Sequence, residues 1–140
     1  MAQTAWAHLP NAKHINWVLA SVKAHPKKWK ATRTAARSPA RAAARAAVWN
    51  AARSAAYNAT RDAARNAAYE AAWFAAFDAA NNAAYEAAAD AIIALIAYDD
   101  CGYMIESEVG ELKIIAKLGD QRAILLLPAC IAYNGTKELV

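Results

Sequence analysis

One row of the chain repeats Arg and aromatic residues at every fourth position, and these side chains are the best suited to bind a ligand. Guanidinium groups contact phosphates and aromatic rings stack on bases, so the pair suits single-stranded nucleic acid or a nucleotide. The predicted ligand-binding residues are Trp29, Arg33, Arg37, Arg41, Arg45, Trp49, Arg53, Tyr57, Arg61 and Arg65, flanked by Lys23, Lys27, Lys28 and Lys30.

The same row has a second interpretation, in which the large side chains fill gaps beside Ala and the Arg heads extend to water. A four-residue step advances about 400° at about 3.6 residues per turn, so the row drifts about 40° per step around a helix. The whole row therefore cannot face one ligand. The alternative to the binding hypothesis is a row whose side chains are only solvated or pair with other parts of the protein.

The other candidate residues give weaker signals. Asp99 and Asp100 are expected at a helix C-terminus, where carboxylates oppose the macrodipole. An ion pair with the basic half is favoured over a metal or acid–base site, because no His adjoins them. His8, His14 and His25 lack metal-ligand spacing and are interpreted as surface or packing residues. We expect no catalytic residue, no metal and no cofactor, and hence no enzyme.

Charge is segregated along the chain. Residues 1–61 hold eleven Lys or Arg and no Asp or Glu, whereas residues 62–140 hold five basic and twelve acidic residues. Such halves attract a phosphate-bearing partner, but they equally attract each other or a second copy. The expected partners are nucleic acid, a signalling nucleotide, an acidic host protein and further copies of the chain.

Cysteine usage and hydropathy favour a soluble cytoplasmic protein. Cys101 and Cys130 show no CxxC or zinc spacing, which predicts buried, reduced thiols. The first ten residues form no continuous apolar signal segment. The longest apolar stretches, Ala91–Tyr98 and Ala123–Tyr133, are too short for a bilayer, which needs about 20 residues. No membrane partner is expected.

A four-residue repeat must position the Arg/aromatic row. From Ala43 to Ala91 every fourth residue is Ala, and each tetrad runs large, polar, Ala, Ala. Ala has the best helix propensity, and Ala ridges at i±4 favour crossed helix contacts rather than a coiled coil. A continuous helix over residues 39–100 would run roughly 90 Å. We favour an elongated, oligomer-forming helix over a broken one, with the weakest points at Asn58-Ala59-Thr60 and Asn81-Asn82.

Short helices are predicted on both sides of the repeat, which makes the fold all-α. Before it, Asn11 caps a helix over Ala12–Ala24, and Pro26 opens a basic helix over Lys27–Arg37. Ser38-Pro39 then begins the repeat helix. The single domain thus divides into basic helices at 1–38, the repeat at 39–100 and a compact apolar cap at 101–140.

Within the cap, glycines and prolines mark the predicted boundaries. Gly102 ends the repeat helix in a left-handed conformation. A helix over Glu106–Leu118 follows, closed by Gly119. Asp120 caps a last helix over Gln121–Asn134, kinked or split at Pro128 and stopped by Gly135. The residues expected to be buried in the first of these helices are Val109, Leu112, Ile115 and Leu118.

The Ala tract running into Ile92–Cys101, followed by Leu118-Gly119-Asp120 and Ala123–Ala132, resembles a group of alanine-rich small proteins of unknown function encoded by tailed bacteriophages. The likeness covers residues 25–133, and its tail motif is more specific than the Ala tract. It implies a phage setting, and a role in host interference or the virion rather than metabolism. It carries over no functional residue.

These observations predict a non-enzymatic phage protein that works by binding in the cytoplasm of the bacterial host, with its basic half toward an anionic partner. The alternative is a structural role, in which crossed Ala helices build an oligomeric scaffold or a virion component.

Overall fold

A computed structural model of the chain describes residues 6–7, 9–35, 41–55, 70–78, 82–98 and 101–136. Within these ranges, residues 33–35, 49–55, 82–83 and 136 are described by their backbone only. The described chain is helical and contains no strand, so the predicted all-α fold is confirmed.

The helices are numbered in chain order. They are α1 (Ala12–Ala24), α2 (Pro26–Ala35), α3 (Arg41–Ala55), α4 (residues 70–78), α5 (Asn82–Ala97), a 3-10 helix (Gly102–Glu106), α6 (Val109–Lys117) and α7 (Gln121–Thr136).

The alanine repeat is broken and folds back on itself. Helix α3 packs against α5, and the Arg45 Nε lies 2.7 Å from the Asp90 Oδ1. In one continuous helix these residues, 45 positions apart, would be separated by roughly 67 Å at about 1.5 Å per residue. The expectation of one elongated helix is therefore wrong, and the broken alternative is right. Of the predicted weak points, Asn82 is the first residue of α5, whereas residues 58–60 and 81 lie outside the described residues.

One phase of the repeat is buried wherever the structure describes its side chains. Its members step by four residues, as the i±4 ridges of a helix do. Because Ala and Val are small, helix backbones approach each other closely along this ridge. The buried members are Ala44, Val48, Ala72, Ala76, Ala84 and Ala88.

Helices α5 and α7 form the centre of the bundle. Helix α5 contacts α1, α2, α3 and α7, and α7 also contacts α2, α3, α6 and the 3-10 helix. Both are apolar on nearly every side, as helices enclosed by others must be, with Ala91–Ile96 and Ala123–Cys130 continuously buried. Cys101 and Cys130 are buried and are not joined by a disulfide, so their predicted burial is confirmed.

The start of α1 is joined to the end of α5 through Asn11. Asn11 lies at the predicted N-cap position, but its side chain makes no capping bond. Its Nδ2 instead donates to the carbonyl oxygens of Leu95, at 2.9 Å, and Tyr98, at 2.7 Å. These two oxygens lie at the end of α5, where carbonyls lack partners within the helix.

Gly102 lies against the same junction. It opens the 3-10 helix and does not adopt the left-handed conformation expected of a helix stop, because α5 already ends at Ala97. A Cβ on Gly102 would lie 2.6 Å from His14 Nδ1 and 2.7 Å from Asn11 Oδ1. Close packing therefore requires glycine at this position. His14 Nε2 also lies within hydrogen-bond distance of Glu106 Oε2, at 3.2 Å.

In the cap, two of the predicted boundary residues are confirmed. Gly119 has a positive φ of 99°, and the Asp120 Oδ1 accepts the backbone N–H of Ala123 at 3.2 Å at the start of α7. Helix α7 is not split at Pro128 and extends through Gly135 to Thr136.

The predicted burial in α6 holds at one position and fails at another. Leu112 is buried, but Leu118 is 83% exposed. The helix ends at Lys117, and the turn toward Gly119 takes Leu118 away from the buried face. Val109 and Ile115 are partly buried against the core.

Candidate functional site

The structure does not bring the predicted Arg/aromatic row together as one surface. Trp29 is fully buried, and its Nε1 donates to the Ser21 Oγ at 2.9 Å. Its buried ring contacts Trp17 of α1, with ring centroids 6.0 Å apart, and so cannot stack on a ligand; this prediction is wrong because the buried stripe of α2 passes through position 29. The backbones of Arg33, Trp49 and Arg53 lie in helices, whereas Arg37, Tyr57, Arg61 and Arg65 lie outside the described residues.

Arg41 and Arg45 are paired with a buried carboxylate. They lie one helical turn apart on α3, so both reach Asp90 of α5, which is only 3% exposed. The Arg45 Nε and Nη2 donate to the two Asp90 oxygens at 2.7 and 3.3 Å. The Arg41 Nη2 lies 2.5 Å from Asp90 Oδ2, but its N–H bonds are not aligned for a hydrogen bond, so this contact is an ion pair.

This pairing corrects the prediction that Arg41 and Arg45 present free charge to a ligand. Their first role is to hold α3 on α5. Burial disfavours the charged guanidinium of Arg45, but the hydrogen bond and charge of Asp90, with the charge of Glu86, outweigh it and raise the Arg45 pKa. The guanidinium is therefore charged at every physiological pH, and much of that charge is compensated within the protein.

A cleft lies beside this cluster, between α3, α4 and α5. Its volume is about 280 Å³. The rings of Trp73 and Tyr85 meet nearly at right angles, 83° apart with centroids at 5.5 Å, and form two of its walls. Apolar side chains and the ion pair complete it. The lining residues are Arg45, Trp73, Tyr85, Glu86, Ala89, Asp90 and Ile93.

The field inside the cleft disfavours a negative charge at Tyr85. Burial and the neighbouring Glu86 carboxylate raise the pKa of the Tyr85 hydroxyl, against smaller opposing effects of Trp73 and Arg45. Among the described residues at this site, the two carboxylates Glu86 and Asp90 equal the two arginines in number. The cleft offers aromatic faces and a polar end that carries charges of both signs.

Helix α4 exposes two aromatic side chains next to the cleft. Phe74 is 60% and Phe77 58% exposed, and both rings contact Trp73. Glu70 and Asp78 are exposed on either side of Phe74 at four-residue spacing. The surface formed by these four residues is called the aromatic surface of α4.

The sequence marks this surface at one position of the four-residue repeat. Phe74 occupies the polar phase of the repeat, where Glu70, Asp78, Glu86 and Asp90 also lie. A Phe among these polar residues is an exception to the repeat, although the phase itself does not fix exposure, since Asp90 is buried. No comparable local signal marks Trp73 and Tyr85 as walls of one cleft, because their contact depends on how α4 meets α5.

A second candidate surface is the basic face of α1 and α2, defined by Lys23, Lys27, Lys28 and Lys30. All four lysines, which flank the Arg/aromatic row in the sequence, are exposed. The Lys28 Nζ donates to the Gly135 carbonyl oxygen at 3.2 Å. Within the described ranges no ion pair includes the other three, in contrast to Arg41 and Arg45.

Of the other candidate residues, Asp99, Asp100 and His8 lie outside the described residues. In the part of the chain that the structure describes, no three His, Cys, Asp or Glu side chains are grouped as metal ligands. None of the described helices is long and apolar enough to cross a membrane.

No family model, curated protein or solved structure matches the chain. The resemblance to alanine-rich phage proteins therefore stays a prediction.

Proposed function

We propose that the chain is a non-enzymatic binding protein whose basic face, on α1 and α2, engages single-stranded nucleic acid. The observation that supports this most directly is the difference between two sets of cations. Arg41 and Arg45 are compensated by a buried carboxylate, whereas Lys23, Lys27 and Lys30 are exposed and form no ion pair with any described residue. Exposed lysines attract phosphates and release their counterions.

The geometry of α2 favours an extended partner over a small one. Lys27 and Lys30 lie on the solvent side of α2, opposite the buried Trp29 and Thr32. Lys28 lies to one side of them on α2, and Lys23 lies in the last turn of α1. These point charges are spread over two helices and are not gathered in a pocket. They therefore suit a flexible strand of phosphates rather than one nucleotide.

A phage origin, a location in the cytoplasm of the bacterial host and a role in host interference belong to this proposal. They are supported by the resemblance in the Ala tract and tail motif alone.

The test is the salt dependence of binding to a labelled thymidine oligonucleotide, measured by fluorescence anisotropy. The logarithm of the association constant should fall linearly with the logarithm of salt concentration, with a slope of about −0.7 per phosphate contacted. The double variant Lys27→Gln/Lys30→Gln should flatten that slope by about 1.4.

The matched control is Lys113→Gln/Lys117→Gln, which removes two exposed lysines at four-residue spacing from α6. It changes net charge equally, so it should keep most of the slope. Binding that ignores salt, or that weakens equally in both double variants, would refute the nucleic-acid proposal.

A second candidate function, assembly into an oligomer, is favoured by the aromatic surface of α4. Its exposed Phe74 and Phe77 lie beside the carboxylates Glu70 and Asp78, so its charge complements the basic face of α2. Two different surfaces that meet between copies produce a head-to-tail contact, which closes into a ring or continues as a filament. The occupant of this surface is then the basic face of a second copy.

Light scattering across a concentration series tests this alternative. Phe74→Ser should lower the average mass at a given concentration, and so should raised salt, because the contact pairs opposite charges. Ile114→Ser, which removes another exposed apolar side chain from α6, is the control. A monomer at all concentrations would exclude assembly.

A further inference from the structure

The cleft between α3, α4 and α5 has the walls and the polar end of a small-molecule site. Its volume of about 280 Å³ is near the lower limit of about 300 Å³ for pockets that hold drug-sized ligands. Space of this size admits one ring system and not a chain of linked groups.

The two aromatic walls determine the shape of the ligand. The rings of Trp73 and Tyr85 are nearly perpendicular. A flat ring stacked on one of them presents its edge to the other, and both arrangements are favourable for aromatic groups. Ala89 and Ile93 line the same space with apolar surfaces, so a strongly hydrated ligand gains less there.

The polar end of the cleft determines which hydrogen-bonding groups the edge of the ligand ring should carry. Arg45 uses its Nε and Nη2 on Asp90, and a guanidinium carries five N–H donors, so further donors remain. Glu86 lines the cleft as a carboxylate that can accept several hydrogen bonds. A ligand edge with an acceptor beside a donor matches this pair, and Arg and Glu side chains bind the edges of nucleobases in this way.

Charge selects against ions of either sign. Asp90 and Glu86 oppose an anion, while Arg41 and Arg45 oppose a cation, so the described side chains at this end carry two charges of each sign. The ligand that loses least on entering is neutral.

We propose that this cleft binds a neutral, flat heteroaromatic ring of the nucleobase class, stacked against Trp73 or Tyr85 with its polar edge toward Arg45 and Glu86. The proposal does not rest on nucleic-acid binding by the basic face, because no lysine of that face lines the cleft.

Adenosine is the probe, because it carries such a ring without a phosphate. Titration followed by protein NMR should shift the Trp73 and Tyr85 ring resonances and the Ala89 methyl resonance, with affinity nearly independent of salt. Trp73→Ala should weaken adenosine binding about tenfold, since an aromatic contact to a base contributes a factor of about 5 to 150 in affinity. Phe74→Ala, which removes a neighbouring ring outside the cleft lining, should change the affinity less than about twofold.

A second variant covers the case in which Trp73→Ala does not fold. Glu86→Gln keeps the shape of the cleft but replaces a carboxylate acceptor, and should lower adenosine affinity about threefold to tenfold. Adenosine monophosphate should bind no more tightly than adenosine.

Three results would overturn the proposal. They are an absence of ring shifts up to the solubility limit of adenosine, equal affinity in Trp73→Ala and Phe74→Ala when both are folded, and tighter, salt-sensitive binding of the monophosphate. Because adenosine has no phosphate, failure here is distinct from failure of the oligonucleotide test, and Lys27→Gln/Lys30→Gln should leave adenosine affinity unchanged.

Discussion

The substitution Asp90→Asn tests whether one buried carboxylate holds the folded-back repeat together. It removes the negative charge that compensates Arg41 and Arg45 while keeping the size of the side chain. Removing one partner of a fully buried ion pair costs about 3–5 kcal/mol. Since Arg45 is 43% exposed, water compensates part of its charge, and we expect a loss of about 2–3 kcal/mol in the free energy of unfolding.

Urea unfolding followed by circular dichroism measures this loss. Arg45→Gln should cost only about 1 kcal/mol, because Asp90 keeps Arg41 as a partner. The double variant should lose less than the sum of the two single variants, since the second substitution removes a charge that the first left unpaired. Glu111→Gln, at an exposed site on α6, is the control and should change stability by less than about 0.5 kcal/mol.

If Asp90→Asn unfolds at the same urea concentration as the control, the ion pair does not hold α3 on α5. A loss in the double variant equal to the sum of the single losses would likewise show that Arg45 and Asp90 act independently.

Two other predictions concern single positions. Gly102→Ala should destabilise the protein by about 1–3 kcal/mol, because its Cβ would lie 2.6 Å from His14. The control, Gly110→Ala, has open space around its Cβ in α6 and should stabilise the protein by about 0.5–1 kcal/mol. Equal effects of the two substitutions in thermal unfolding would contradict the close contact at Gly102. Asp120→Ala should cost about 1 kcal/mol through loss of the α7 cap. Burial opposes ionisation of Asp120, but hydrogen bonds from Arg122 and Ala123 lower its pKa below 3.8. Its contribution is therefore complete above that pH and is lost as pH falls through the lowered value, so the stability difference between wild type and Asp120→Ala should shrink in acid; a constant difference would argue against this pKa.

Local features of the fold followed from local sequence. The positive φ of Gly119, the capping bond of Asp120 and the start of α2 at Pro26 each depend on a few neighbouring residues, and each was predictable. Packing of helices along Ala ridges also followed, because small residues at i±4 leave a ridge that another helix can approach. The sequence did not show which of the two Ala phases would be buried, since Ala43 is exposed and Ala44 is buried.

Features that depend on distant contacts were not predictable from local patterns. Asp90 lies 45 residues from Arg45, and nothing near either residue identifies the other as its partner. Gly102 looks like a helix stop in sequence, but its glycine is required by His14 of α1. Trp29 looked like part of an exposed row because a four-residue spacing ignores which stripe of α2 faces α5 and α7.

The residues that Asn11 contacts by hydrogen bonds are synthesised well after Asn11 itself. Its partners, Leu95 and Tyr98, lie 84 and 87 residues further along the chain. At about 5–20 residues per second, a ribosome needs roughly 4–17 s to make that length. For that time α1 and α2 have no α5 to pack on, and the first 61 residues carry eleven basic and no acidic side chains. The nascent chain thus meets the polyanionic RNA of its own ribosome before it meets its folding partner, and docking of α1 on α5 must compete with that attraction.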